Sequence, residues 1–235
     1  MRPHPINPSL ENVTLRRGRD TIFQSLTLRL SEHRIGVIGD NGAGKSSLFR
    51  LLCGLDQPLS GRVQWGEQQQ ASIRIAGLVG MMFQNPDEQI VYPTVDEELA
   101  LSLSPQGFSR RQALEQAQVF LRARGLDHWI GRAIGSLSHG QRQQVCWLSL
   151  LIAAPGLLLL DEPFASLDLP GQARLSREMA QAPQQLIVAS HILGPLRKFD
   201  RVIWLENGRI RADGPAQPIC DAYEIHASSE TGAQL

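Results

Sequence analysis

At 235 residues and 42% hydrophobic, the chain is long enough to bury a full core, as one large domain or two small ones. Its 23 Lys and Arg balance 23 Asp and Glu at a net charge of +0, which excludes a general electrostatic attraction to nucleic acid or anionic lipid. Cys53, Cys146 and Cys220 lack the paired spacing of a zinc site or a disulfide framework, so buried free thiols are expected.

At the amino end, MRPHPINPSLENVTLRRGRD carries prolines and charges where an export signal needs an apolar core. VTLRR and SLTLRL alternate apolar and polar residues as antiparallel strands do, and HRIGVIG reads as an unbroken strand. That strand runs into GDNGAGKSSLFRLL, Gly39 to Leu52. Gly39, four residues, Gly44, Lys45 and Ser46 have the spacing of a P-loop, whose backbone N–H groups close around phosphate oxygens. Gly42 and Gly44 remove Cβ atoms where the chain curls, Lys45 brings positive charge to the outer phosphates, and the Ser46 hydroxyl can ligate Mg²⁺. The following helix aims its N-terminal dipole at the same spot. The plainer alternative is a glycine-rich turn with one solvated lysine, against which stand the strand before it and the helix after it.

Further along, GRVQWG and IRIAGLVGMMFQ predict short strands separated by a polar loop, EQQQ, at Glu67 to Gln70. From Asn85 to about Ser136 the pattern turns helical, with apolar residues of SRRQALEQAQVFLRARGL at helical spacing. LSHGQRQQVCWLSLLIAA predicts a helix capped by Ser138, followed by the strand GLLLLDEP. The apolar window WLSLLIAAPGLLLLDEP is too short to span a membrane and is broken by Pro155 and Gly156, so the chain is expected to be soluble by itself. A helix around QARLSREMAQ, the strand QLIVASH and a VIWLENGRIR hairpin turning at Asn207-Gly208 complete the reading, with no internal repeat. Alternating strands and helices imply a parallel sheet with crossover helices, the phosphate site lying at the strand carboxyl ends.

Four stretches bear on that site. Asp161 and Glu162 end a buried strand, placing an Mg²⁺-orienting carboxylate beside one able to polarise water. Gln84 after one strand can contact metal and water, His191 after another can reach a terminal phosphate, and LSHGQ at a helix N-terminus offers a second anion site. Taken singly, each has a structural alternative: a solvated strand end, an ordinary glutamine or histidine, a helix N-cap. Together and in order they point to nucleotide hydrolysis.

In that order, GDNGAGKSS, FQNP, LSHGQ, LLLLDEP, SLD (Ser166 to Asp168) and ASH resemble the Walker A, Q-loop, signature, Walker B, D-loop and switch histidine of ATP-binding cassette (ABC) transporter ATPases. The resemblance covers nearly the whole chain. It implies an α/β fold: a P-loop ATPase core with a parallel sheet, an antiparallel β subdomain and a helical subdomain. Residues 1–235 would form one domain, with the helical part at about 85–140 inserted in the core. It also implies a head-to-tail dimer, each P-loop facing the other subunit's signature. Gly39, Asn41, Gly42, Ala43, Gly44, Lys45, Ser46 and Ser47 would bind ATP; Ser46, Gln84 and Asp161 would hold Mg²⁺; Glu162, His191 and Gln84 would be catalytic. Ser138, His139, Gly140, Gln141 and Asp168 would close the partner's site.

FQNPDEQIVYPTVDEELA is similar to the ATPases of energy-coupling factor importers, which work with a transmembrane coupling subunit and a membrane substrate-binding subunit on the cytoplasmic face of the cell membrane. Asp87, Glu88, Asp96, Glu97 and Glu98 are expected to receive arginines of the coupling subunit, or, for Asp96 to Glu98, to favour a helix dipole. SEHRIGVIG, FDRVIWLENGRIRADG and ICDAYE look most like biotin-importer ATPases, with cobalt and nickel importers the alternative. A homodimer is the simplest assembly, a heterodimer the other, and no nucleic acid partner is expected. A DNA clamp of this family needs a long coiled-coil insert for which the chain has no room, and a P-loop kinase has no use for LSHGQ. Two departures stand out: His139 replaces the usual signature glycine, and Arg16 or Arg17 stands where an adenine-stacking aromatic is expected.

Overall fold

Alternating side chains turn β1 (Pro8–Arg17) and β2 (Asp20–Arg29) into an antiparallel pair with one buried face, built from Leu10, Val13 and Leu15 on one strand and Phe23, Leu26 and Leu28 on the other. The buried residues are not evenly spaced by two. Asn12 (φ 49) and Ser25 (φ 53) take left-handed conformations where the spacing slips, so irregular residues restore the apolar face that a one-residue shift would turn to solvent. The computed structural model describes residues 6–66, 68–69, 75 and 77–232.

β4 (Ser60–Trp65) pairs with β1, and β5 (Gln68–Gln69) with β4, giving a four-stranded antiparallel sheet in the order β2-β1-β4-β5. The loop expected at EQQQ is therefore corrected: Gln68 and Gln69 extend the sheet by backbone pairing that needs no apolar pattern, while Glu67 and Gln70 lie outside the described residues. Of IRIAGLVGMMFQ, only Val79–Met82 is strand; part of the stretch lies outside the described residues.

A second sheet has the order β10-β9-β3-β8-β7-β6. Its parallel members are β3 (Arg34–Ile38), β6 (Val79–Met82), β7 (Leu157–Asp161), β8 (Gln185–Ala189) and β9 (Arg201–Glu206). They are short apolar runs, and β7 and β8 are buried along their whole length, as strands covered on both faces must be. β10 (Arg209–Gly214) returns antiparallel to β9 through Asn207 (φ 47) and Gly208 (φ 72), both left-handed as the tight hairpin requires.

Helices α1 (Lys45–Leu52), α5 (Leu169–Gln181), the short α6 (Leu193–Leu196) and α7 (Ala216–Gly232) accompany the sheet. Between β6 and β7 the chain makes α2 (Val95–Leu101), α3 (Arg110–Arg122) and α4 (His139–Ala153). These three share an apolar cluster of their own, including Val95, Leu99, Ala117, Leu121, Trp129, Val145 and Leu148. α4 also packs Cys146, Trp147 and Leu150 against the sheet's cluster, so one helix bridges the two cores. The three cysteines are free; burial pushes the Cys146 thiol up to about 12, leaving it protonated and inert at neutral pH. Among the described residues no helix is long and apolar enough to cross a membrane.

Candidate nucleotide site

The carboxyl ends of the parallel strands border an open cleft of about 580 Å³, within the size range of small-molecule sites. β3 delivers the P-loop to it. Gly39 (φ 140) passes so close to the backbone of β9 that a Cβ would lie 2.1 Å from the Leu205 carbonyl oxygen, and at Gly44 (φ 107) a Cβ would meet the Phe23 ring at 2.8 Å. The loop is held from behind, where the hairpin residue Gly208 donates its N–H to the Ala43 carbonyl at 3.1 Å.

Gly39, Asn41, Gly42, Gly44, Lys45, Ser46 and Ser47 line the cleft as expected, together with Asp40. Ala43 does not. It is buried and its N–H donates to the Asp40 carbonyl at 3.1 Å, so this amide is engaged inside the loop rather than turned to an anion. The Lys45 ammonium donates to the carbonyls of Gly39 (2.6 Å) and Asp40 (3.0 Å), which hold it across the mouth of the loop.

β7 and β8 supply the acid, the metal-type ligand and the histidine. Asp161 ends β7, where burial pushes its carboxyl above the usual range; the Glu162 charge adds to this, against a hydrogen bond from Ser46 and the charge of Lys45. Glu162 is buried and left-handed (φ 49), a conformation that costs a non-glycine residue about 1 kcal/mol. Its Oε2 lies 2.8 Å from His191 Nδ1 and accepts the His191 backbone N–H at 3.2 Å. With Nδ1 turned to the carboxylate, Nε2 is the ring nitrogen left to meet a phosphate. Gln84, just beyond β6, joins Ser46 and Asp161 on the wall between this cleft and a neighbouring one of about 570 Å³.

Ser138, Gly140 and Gln141 of the signature line neither of these two clefts of their own chain. Ser138 caps α4, its Oγ accepting the Gln141 N–H at 3.3 Å while Gln141 Oε1 accepts the Ser138 N–H at 3.0 Å. Gly140 packs against Leu167, and Asp168 caps α5 by accepting the Gly171 N–H at 2.9 Å. Only His139 borders the second cleft, beside Ser46, Gln84 and Asp161. α4 is nevertheless tied to the turn that follows β7, because Gln143, buried one turn on, donates to the Pro163 carbonyl at 2.8 Å.

Of the two arginines expected near an adenine, Arg17 lines the cleft and Arg16 does not. Arg17 donates to Asp56 at 2.7 Å, which fixes its guanidinium. Burial alone pushes Asp56 up, but hydrogen bonds from Arg50 and Arg17 outweigh it and hold the carboxyl below the usual range. Sequence reasoning missed Tyr223, whose ring on α7 also lines the cleft and whose hydroxyl donates to Asp40 at 2.8 Å. A partner 183 residues away leaves no local pattern.

The docking expectation is corrected for Asp96 and Glu98, while the helix-start alternative holds, with Asp96, Glu97 and Glu98 all in the first turn of α2. Asp96 and Glu98 are 5% and 4% exposed and work inside the chain. Asp96 accepts from Gln118 and from the Gly131 N–H, both at 3.0 Å, and Glu98 Oε2 accepts the N–H groups of Val91 (2.9 Å) and Tyr92 (2.8 Å). Glu97 accepts the Thr94 hydroxyl at the helix start. Asp87 and Glu88 remain exposed, Asp87 pairing with Arg142 of α4 at 3.0 Å.

Comparison with known proteins shows the family to which the chain is similar. The ABC transporter family (ABC_tran) matches residues 23–165. A relative from Rhodobacter capsulatus, named biotin transport ATP-binding protein BioM, is 44% identical over 94% of this chain and 97% of its own. A second protein of that name, from Rhizobium etli, is 35% identical over 93% and 98%. Among solved structures, cbiO1 of Clostridium perfringens, part of the ABC transporter complex cbiONQ, superposes with a TM-score of 0.79 at 22% identity, over 94% of this chain and 93% of that one. The ATP-binding cassette MJ0796, solved as a dimer bound to ADP and Pi after hydrolysis, gives 0.76 at 22% over 89% and 98%. At these identities the structural likeness concerns the fold.

Proposed function

The chain belongs to the ABC transporter family and has the ABC ATPase fold; from that premise we propose that it is the ATPase subunit of an energy-coupling factor importer that takes up a vitamin, biotin. The carrying observation is likeness to biotin transport ATP-binding proteins along nearly the whole chain, beyond the motifs that all such ATPases need. As an ATP-hydrolysing subunit it binds ATP, and the P-loop cleft has the residues for it.

The triphosphate lies along the P-loop, its terminal phosphates on Lys45 and its base toward Arg17, whose flat guanidinium can stack on adenine. A cation bound beside a triphosphate shares its shell with phosphate oxygens and needs only a partial set of protein ligands. Ser46, Gln84 and Asp161 fit that partial set, two neutral oxygens and one carboxylate. Mg²⁺, when bound, neutralises charge on the β and γ oxygens.

Glu162 takes a proton from water as its oxygen attacks the γ-phosphorus in line, and the bond to the ADP oxygen breaks. His191 holds Glu162 through Nδ1 and offers Nε2 to the γ-phosphate. Ser138, His139, Gly140, Gln141 and Asp168 of a second copy close the site. The Ser138 hydroxyl already accepts within its cap, which leaves its own proton to donate to a phosphate oxygen. Closure then depends on ATP, since the two anion-binding halves sit on different chains. The subunit docks on a transmembrane coupling subunit at the cytoplasmic face of the cell membrane, and a membrane substrate-binding subunit captures the vitamin.

The test is purification of the tagged chain from detergent-solubilised membranes, together with uptake of labelled biotin by cells with and without it. Co-purification of a multi-span protein with loss of biotin uptake in the deletion supports the proposal. Loss of cobalt or nickel uptake instead moves the solute, and recovery of no membrane protein overturns the transport role.

A further inference from the structure

Asp40 is the one acidic side chain of the P-loop, and it borders the space where phosphates must sit. A free carboxylate there repels the triphosphate and competes with it for the Lys45 ammonium, which is already hydrogen-bonded to the carbonyl of Asp40 itself. The carboxylate is turned elsewhere. Its Oδ1 accepts the Tyr223 hydroxyl at 2.8 Å, a contact from the last helix of the fold.

Tyr223 is itself held in place. Its ring stands edge-on to Trp204 of β9, centroids 5.1 Å apart and planes at 85°, and the Arg211 guanidinium lies 4.3 Å over the same indole. Trp204 is buried in the strand next to β3, which carries the P-loop. The hydroxyl is thus presented to Asp40 from a ring packed against the sheet.

We propose that Tyr223 is a positioning residue for ATP binding: its hydroxyl holds the Asp40 carboxylate away from Lys45 and the terminal phosphates, so that α7 sets the affinity of the P-loop. This rests on the reading that the cleft receives the triphosphate on Lys45. Without the hydroxyl, Asp40 turns toward Lys45 and occupies it in place of phosphate.

The test is a cycle of ATP-binding measurements by titration calorimetry on the full chain: wild type, Tyr223→Phe, Asp40→Asn, the double variant, and Lys45→Ala as a control. Tyr223→Phe keeps the ring packing and is expected to weaken ATP binding about three- to tenfold, the scale of one partly exposed charge-assisted hydrogen bond. Asp40→Asn is expected to bind at least as tightly as wild type, and adding Tyr223→Phe to it to change little, because no charge remains to restrain. Wild-type affinity in Tyr223→Phe, the same loss when Tyr223→Phe is added to Asp40→Asn, or weaker binding by Asp40→Asn alone overturns the proposal. Undiminished ATP binding by Lys45→Ala overturns instead the placement of the phosphates, and so separates the two failures.

Discussion

Glu162 and Asp161 are adjacent in sequence, yet their surroundings give them different work. Glu162 is held by His191, in a backbone conformation that a non-glycine residue adopts at a cost, where it can face an attacking water. Glu162→Gln keeps an oxygen for His191 but removes the proposed base, so turnover should fall roughly a hundred- to ten-thousand-fold while ATP binding survives. Near-normal turnover in a steady-state phosphate-release assay would show that another group takes the proton. Asp161 has its carboxyl pushed up, chiefly by burial, so the folded chain holds this proton more tightly than the unfolded chain. The penalty is present above the folded pKa and relieved as pH falls through it. Asp161→Asn should therefore raise the melting temperature of the nucleotide-free chain at pH 7 and abolish Mg²⁺-dependent hydrolysis. A lower melting temperature would mean that Ser46 and Lys45 more than offset the burial.

At the scale of elements, α2 shows how similar acids divide between structure and surface. Val95, Leu99 and Ala100 face the apolar cluster, and Asp96 and Glu98 follow them inward to satisfy the N–H groups of Gly131, Val91 and Tyr92. Glu98→Ala leaves two backbone donors without an acceptor and should cost about 2 to 4 kcal/mol. Charge reversal at Asp87 and Glu88 acts at the surface instead, and should change stability by no more than about 1 kcal/mol. If these two acids receive basic side chains of a membrane partner, their reversal to Lys should nevertheless reduce its co-purification. Melting temperature and partner recovery on the same variants separate the roles, and unchanged recovery would remove Asp87 and Glu88 from the docking surface. The helical segment itself is legible from the spacing of its apolar residues. That two of its acids point inward is not, because acids in a first helical turn satisfy the helix dipole whether buried or exposed.

For the whole molecule, the decisive feature is that Ser138 caps α4 without lining the P-loop cleft, and that of the signature residues only His139 borders the adjoining cleft beside Ser46. In the proposed head-to-tail dimer a complete site needs a second chain. Lys45→Ala disables a chain's own P-loop, and Ser138→Arg disables the partner's site. In a mixed head-to-tail dimer one site carries both lesions and the other carries neither. Mixing the two inactive variants should restore part of the hydrolysis. No recovery where mixed dimers demonstrably form would argue that each chain closes its own site. Ser138→Arg also removes a helix cap worth about 1 kcal/mol, so its melting temperature must be shown to stay above the assay temperature.

The P-loop, the DE pair, the capped LSHGQ helix and the alternation that builds a parallel sheet were all legible from the sequence. Each rests on interactions within a few residues: glycines where the chain must curl, a cap three residues from its acceptor, apolar runs long enough for one buried strand. Tertiary structure alone decided what depends on distant packing. It brought His191 onto Glu162, kept Ala43 out of the cleft, chose Arg17 over Arg16, and turned Asp96 and Glu98 inward. It also laid α7, whose sparse apolar residues gave no clear period, so that Tyr223 meets Asp40. The physical reason is the same throughout: a local pattern specifies backbone shape and which face is apolar, whereas the partner of a polar side chain is set by the packing of elements far apart in the chain.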